Sequence, residues 1–200
     1  MKHMIWTLFG GSALALMLGL WIPLKAMVAQ ELLALAWAES QARQVETRPW
    51  PWADTWPVAR LQLPTMGVSL IVLAGSHGES LAFGPGRVDT GLGDQGPVIL
   101  AGHRDTHFRH LKTLAVGDAL RLQGRDQQWR EYRVADTRVV DSRYETLDPT
   151  ALGPDTLLLV TCYPFDAMDA RGPLRFVVEA HPANRAPVNA MPQNETVAAL

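Results

Sequence analysis

Cysteine occurs once in the 200 residues, at position 162, so the chain can form neither an internal disulfide nor a multi-thiolate metal site, and the thiol is free. A lone cysteine is most often a small buried hydrophobe. Here the surrounding residues argue for use: the apolar run LLLVT leads into Cys162, and Tyr163-Pro164 follow, where proline stops a strand. A thiol at a strand end is held rigidly yet stays reachable, which is what attack on a carbonyl carbon requires. A second apolar run, PVILAG, ends in the same way at His103-Arg104-Asp105. Imidazole is the commonest proton-transfer partner for a thiol. Arg171 and Arg175 follow the cysteine, and either could direct a fixed guanidinium at an oxyanion, although an arginine on a last strand is ordinarily a solvated surface residue.

Other readings of the same residues are weaker. His103, His107 and His110 have H-x3-H-x2-H spacing that would suit zinc on a helix, but Arg104, Arg109 and Lys112 crowd that stretch with positive charge. No acidic cluster reads as a calcium site, so no metal or cofactor is expected. Lys and Arg number 18 against 20 Asp and Glu, a balance without the basic excess of a nucleic-acid binder.

The elements that must position these groups are short strands. VARLQLP (58–64), VSLIVL (68–73), PVILAG (97–102), ALRLQG (119–124), WREYRVADTRVV (129–140), TLLLVT (156–161) and LRFVVEA (174–180) are separated by turn signals such as Gly117-Asp118, Asp148-Pro149 and Gly153-Pro154. Seven short strands with little helix between them predict an all-β barrel or sandwich. Strand ends then carry Cys162 and His103 to the barrel rim.

Ahead of the strands, Ile5 to Leu24 is apolar apart from Thr7 and Ser12, long enough to span a bilayer, with Trp6 and Trp21 near its ends and Lys2 and Lys25 beside it. The Ala36-Trp37-Ala38 triplet lies too far downstream for signal cleavage, so the segment is expected to be an uncleaved anchor. Residues 26–47 should be helical, with Leu32, Leu35 and Ala36 on one face. Pro49, Pro51 and Pro57 then interrupt, and Trp50, Trp52 and Trp56 between them are expected to pack the linker onto the domain. The expected organisation is an anchor at 1–25, a helical then Pro/Trp-rich linker at 26–57, a catalytic barrel at 58–181, and a disordered tail at 182–200.

The anchor's position, AGHRDTHFRHL, LLLVTCYPF and a terminal arginine strand together resemble the sortase family, over roughly residues 48–180. PWPWADTWPVARL and CYPF look like the proteobacterial group called GN sortases. The resemblance implies a closed eight-stranded β-barrel and a membrane-anchored cysteine transpeptidase. It matches His103 to the family's catalytic histidine, Cys162 to its nucleophile and Arg175 to its arginine by spacing, with Arg171 fitting the shorter spacing of pilus-type members. Asp105 and Thr161 are expected to support His103 and Cys162. Leu158 departs from the pattern, standing where the family carries threonine. The implied partners are a protein with a C-terminal sorting signal and an amine acceptor, with the domain on the periplasmic side of a bacterial inner membrane. The alternatives are an endopeptidase that hydrolyses the acyl-enzyme and an inactive peptide-binding module.

Overall fold

The computed structural model describes residues 2–93, 96–167, 169 and 172–184. Alternation along the apolar runs closes the sheet. In β1 (Pro57–Leu63), Pro57, Ala59, Leu61 and Leu63 are buried and the residues between them are not. The same period of two recurs in β5 (Ala119–Gln123), where Leu120 and Leu122 point inward. With β2 (Val68–Ala74), β3 (Gly86–Arg87), β4 (Val98–Ala101), β6 (Trp129–Asp141), β7 (Leu157–Cys162) and β8 (Leu174–Pro182), these strands form a closed barrel in the order β1-β2-β3-β4-β7-β8-β6-β5. The pairs β2–β3 and β4–β7 are parallel, and the remaining neighbours are antiparallel. Leu61, Leu63, Val72, Leu100, Leu120, Leu157, Leu159 and Val178 fill the interior.

The seven strands read from the sequence all form, and β3 is the one missed. It is only two residues long, too short to show a period, and it is admitted by close backbone approach, since a Cβ on Gly86 would stand 2.0 Å from the Gly75 carbonyl oxygen. A short helix, α2 (Gly78–Phe83), precedes it.

The N-terminal segments form one helix, α1 (Lys2–Arg43), which continues through Pro23. Its last third docks on the outside of the barrel. The buried residues are Ala29, Leu33, Ala36, Trp37 and Ser40, a single stripe at helical spacing. The expected face is only partly right: Ala36 is buried and Leu32 half-buried, but Leu35 is 66% exposed, because it lies about 200° around the helix from Leu33. Toward the N-terminus Leu16, Leu18, Leu20, Ile22 and Leu24 are exposed, as a segment surrounded by lipid would be. Among the linker tryptophans, Trp50 packs edge-on against Phe83 at 5.0 Å and Trp56 is half-buried, but Trp52 is 82% exposed. At the other end β8 runs on to Pro182, and residues 185–200 of the expected tail lie outside the described residues.

Trp37 is the largest side chain in the helix–barrel seam. Trp37→Ala should lower the unfolding free energy by about 3 kcal/mol or more, measured by chemical denaturation of the full chain in detergent.

Candidate active site

β4 and β7 are parallel neighbours in register, with Val98 opposite Leu157 and Ala101 opposite Val160. Both chains therefore reach the same end of the barrel together, about 4.8 Å apart. The pairing continues past the last strand residues: the Gly102 amide donates to the Val160 carbonyl at 3.1 Å, and the Thr161 hydroxyl donates to the Gly102 carbonyl at 2.7 Å. One residue beyond each partner stand His103 and Cys162.

Alternation sets their direction. Leu157 and Leu159 belong to the interior, whereas Leu158 and Val160 belong to a second apolar cluster with Ile99, Val140 and Val177 on the outer face. Cys162 continues the Leu158–Val160 side and is partly exposed. His103 continues the Ile99–Ala101 side, and Arg175 shares the side of Val177. Arg175 lies directly opposite Cys162 in the β7–β8 ladder. The Tyr163 amide bonds the Leu174 carbonyl at 3.0 Å, which makes the adjacent Cys162–Arg175 pair the closer, non-hydrogen-bonded kind, with α-carbons about 4.5 Å apart. A thiol and a guanidinium thus stand opposite each other on neighbouring strands, and the imidazole follows the end of the next strand on the other side of the thiol. The rim expected from the sequence is, more specifically, the outer wall of the barrel at that end.

Arg175 is held by its own turn, its Nη1 donating to the carbonyls of Gly172 at 2.7 Å and Leu174 at 2.8 Å. Arg171 lies outside the described residues. Leu158 is fully buried in the outer-face cluster, where an apolar side chain suits the site better than a hydroxyl. The cluster forms an apolar strip leading to the thiol, and Leu152 from the β6–β7 connection packs along it.

Two loops frame the site, and one residue joins them. Arg104, read from the sequence only as positive charge, is 4% exposed. Its guanidinium donates to the Pro164 carbonyl at 2.5 Å, the Ala167 carbonyl at 2.8 Å and both carboxylate oxygens of Asp105, at 2.7 and 3.0 Å. The loop after His103 is thereby fastened to the loop after Cys162. Asp105 serves Arg104 rather than bonding His103, and that hydrogen bond holds its carboxyl below the usual aspartate range. No spacing rule marks an arginine next to a histidine as buried, so the sequence carried no signal for it. Tyr163, Phe165 and Phe176 form a ring cluster that seats the β7–β8 loop on the core.

Gly102 is required by packing: a Cβ there would lie 2.7 Å from the fully buried Phe108 ring. The His103 carbonyl accepts from the Phe108 amide at 3.1 Å, which curls the loop tightly around the histidine. His107 stands in this loop, and burial pushes its imidazole toward the neutral form. It pairs with the Thr106 hydroxyl at 3.2 Å, while His110 accepts from Arg109 at 3.2 Å. The three histidines converge on no common point, and no group of three or more metal-ligating side chains occurs among the described residues.

A closed barrel that carries a free thiol, an imidazole and a guanidinium side by side on its outer wall has the layout of a cysteine-dependent acyl-transfer enzyme. A sortase-domain family model matches residues 61–183, and the chain belongs to the sortase family. Sortase D of Bacillus subtilis (strain 168) is 31% identical over 120 residues, a match spanning 59% of this chain and 60% of that protein. Among solved structures, the Clostridium perfringens sortase D5 transpeptidase superposes with a TM-score of 0.57 at 20% identity, covering 78% of this chain and 98% of that one. Sortase A from Corynebacterium diphtheriae gives a TM-score of 0.53 at 23% identity, covering 69% and 66% of the two chains.

Two measurements test this architecture. Gly102→Ala should cost about 1 to 3 kcal/mol through the clash with Phe108, read as a lowered denaturation midpoint. Asp105→Asn should destabilise the protein at neutral pH. Because the folded-state pKa of Asp105 is depressed, its contribution is present above the unfolded value and vanishes as pH falls through the folded one. The difference in Tm between wild type and Asp105→Asn should therefore begin to shrink below about pH 4 and close only as the pH passes the lower folded-state value.

Proposed function

We propose that this protein is a membrane-anchored transpeptidase of the sortase type, with Cys162 as nucleophile, His103 as general acid and base, and Arg175 stabilising the oxyanion. The observation that carries the reading is that Cys162 on β7 lies directly opposite Arg175 on β8, while His103 follows two residues after the end of β4, the parallel neighbour of β7. Family membership supports it.

In the first step the Cys162 thiolate attacks the carbonyl carbon of the scissile peptide, and the electron pair moves onto the carbonyl oxygen beside the Arg175 guanidinium. The carbon–nitrogen bond then breaks, His103 gives its proton to the departing amine, and a thioester remains. A second amine, losing a proton to His103, attacks the thioester. The new amide forms and the thiol returns. Hydrolysis follows the same path with water in place of the amine, so the choice between transfer and hydrolysis depends on which nucleophile reaches the thioester.

Residues 1–25 are assigned to an uncleaved anchor in a bacterial inner membrane with the barrel in the periplasm. The exposed apolar half of α1 and its continuity with the docked half support this assignment. The catalytic unit is assigned to residues 58–181. PWPWADTWPVARL and CYPF support placement in the GN group.

Incubating the full chain in detergent with a library of sorting-signal peptides should yield an acyl adduct on Cys162 by mass spectrometry, chased to an amide by added amine. Cys162→Ala should form none. His103→Ala and Arg175→Ala should each lower the adduct rate by about a hundredfold or more. Full adduct formation in His103→Ala would refute the division of roles, and binding without any adduct across the library would favour a peptide-binding module.

A further inference from the structure

We propose that the turn carrying Trp52 is a membrane-contacting foot of the barrel, with the Trp52 indole in the headgroup layer beside the point where α1 enters the bilayer. The inference rests on reading α1 as an anchor, and adds to it a second, independent contact that fixes how the barrel stands on the lipid.

Trp52 is the most exposed of the large apolar side chains among the described residues, at 82%. Its place follows from the path of the chain. α1 ends at Arg43, and the Gln44 side chain fixes the reversal by donating to the carbonyls of Gln41 at 2.7 Å and Arg125 at 2.9 Å. Seven residues later the Trp50 ring lies against Phe83, and the Phe83 carbonyl accepts from Gln30 Nε2 at 2.8 Å. Gln30 stands thirteen residues before Arg43, about 20 Å back along the helix. Seven extended residues cover about 23 Å, so the chain from 44 to 50 must run back along α1 toward its N-terminal, apolar half.

There it turns. The Ala53 amide donates to the Trp50 carbonyl at 3.0 Å, Pro49 and Ala53 are buried, and Pro51 and Trp52 form the outward tip. Gln30 is six residues beyond Leu24, the last residue of the apolar run, which puts this turn about 9 Å from the hydrocarbon edge. The interfacial layer is about 6 Å deep on each side of the bilayer core, within reach of an indole projecting from the tip. An amphipathic ring with an apolar body and one N–H donor prefers that layer. Its base is rigid, so the contact constrains the barrel rather than merely decorating it.

The cleft between α1 and the barrel, about 330 Å³ and lined by Gln30, Ala34, Ile71, Phe83, Pro85 and His107, lies at the same height. His107 belongs to the His103 loop, so the foot also sets the height of the reacting groups above the lipid.

Single-cysteine versions of the full chain in the Cys162→Ala background test this, with an environment-sensitive NBD label at Trp52→Cys, Tyr144→Cys or Leu16→Cys. They are reconstituted in phosphatidylcholine–phosphatidylglycerol vesicles, with and without lipid brominated near the interfacial end of its acyl chains. Tyr144 is 81% exposed and serves as the solvent control, and Leu16 reports on the anchor. The position-52 label should shift to the blue and be quenched at least about twofold more than the position-144 label. Equal quenching at 52 and 144 with strong quenching at 16 overturns the foot and leaves the anchor standing. No quenching at 16 overturns the anchor reading and the foot with it.

Discussion

The parallel, in-register pairing of β4 with β7 is the constraint on which the rest of the site depends. Two antiparallel neighbours carry their C-terminal ends in opposite directions, and only a parallel pair delivers two C-terminal strand ends to one edge. Parallel neighbours need a crossover between them, and here the crossover is the β5–β6 pair, which the chain lays along the far side before returning as β7. Closing the barrel and juxtaposing His103 with Cys162 are thus one topological event. The Thr161–Gly102 bond extends the pairing past the ladder, to the residues just before His103 and Cys162.

Once the strand ends are aligned, the loops that leave them must be held. Loops are where backbone order is weakest, and a thiol that wandered by an ångström would lose much of its advantage in orientation. Arg104 answers this with a guanidinium whose donors meet two carbonyls of the opposite loop and the Asp105 carboxylate. A charge taken out of water is tolerated only with such complete pairing. The Tyr163–Phe165–Phe176 rings secure the same loop from the core side, so polar and apolar contacts agree on one loop position.

Seven barrel strands were legible as short apolar or alternating runs bounded by turn signals, and the placement of Cys162 and His103 at neighbouring strand ends was legible because each follows an apolar run. What stayed hidden depends on contacts distant in sequence. β3 carries no period in two residues, and its glycine answers to the Gly75 backbone. Arg104 is buried only because a loop sixty residues away covers it. The docked face of α1 was only partly legible because leucines on either side of the helix look alike in sequence, and the barrel surface selects Leu33 and Trp37 while leaving Leu35 in solvent. Periodicity reports that a face exists, and the partner surface decides which one.

The same docking removes a freedom that a tethered domain would otherwise have. A flexible linker lets a domain sample a wide range of heights over a membrane, with reach growing as the square root of linker length. In this chain the helix continues unbroken from its apolar half into the stripe of Ala29, Leu33, Ala36, Trp37 and Ser40, and the barrel packs on that stripe directly. Gln30, bonded to Phe83, ties the helix to the elements beside the His103 loop. The position of the barrel relative to the apolar half of the helix is therefore set by helix rise, residue by residue, and inserting residues between Leu24 and Ala29 would rotate and shift the two together.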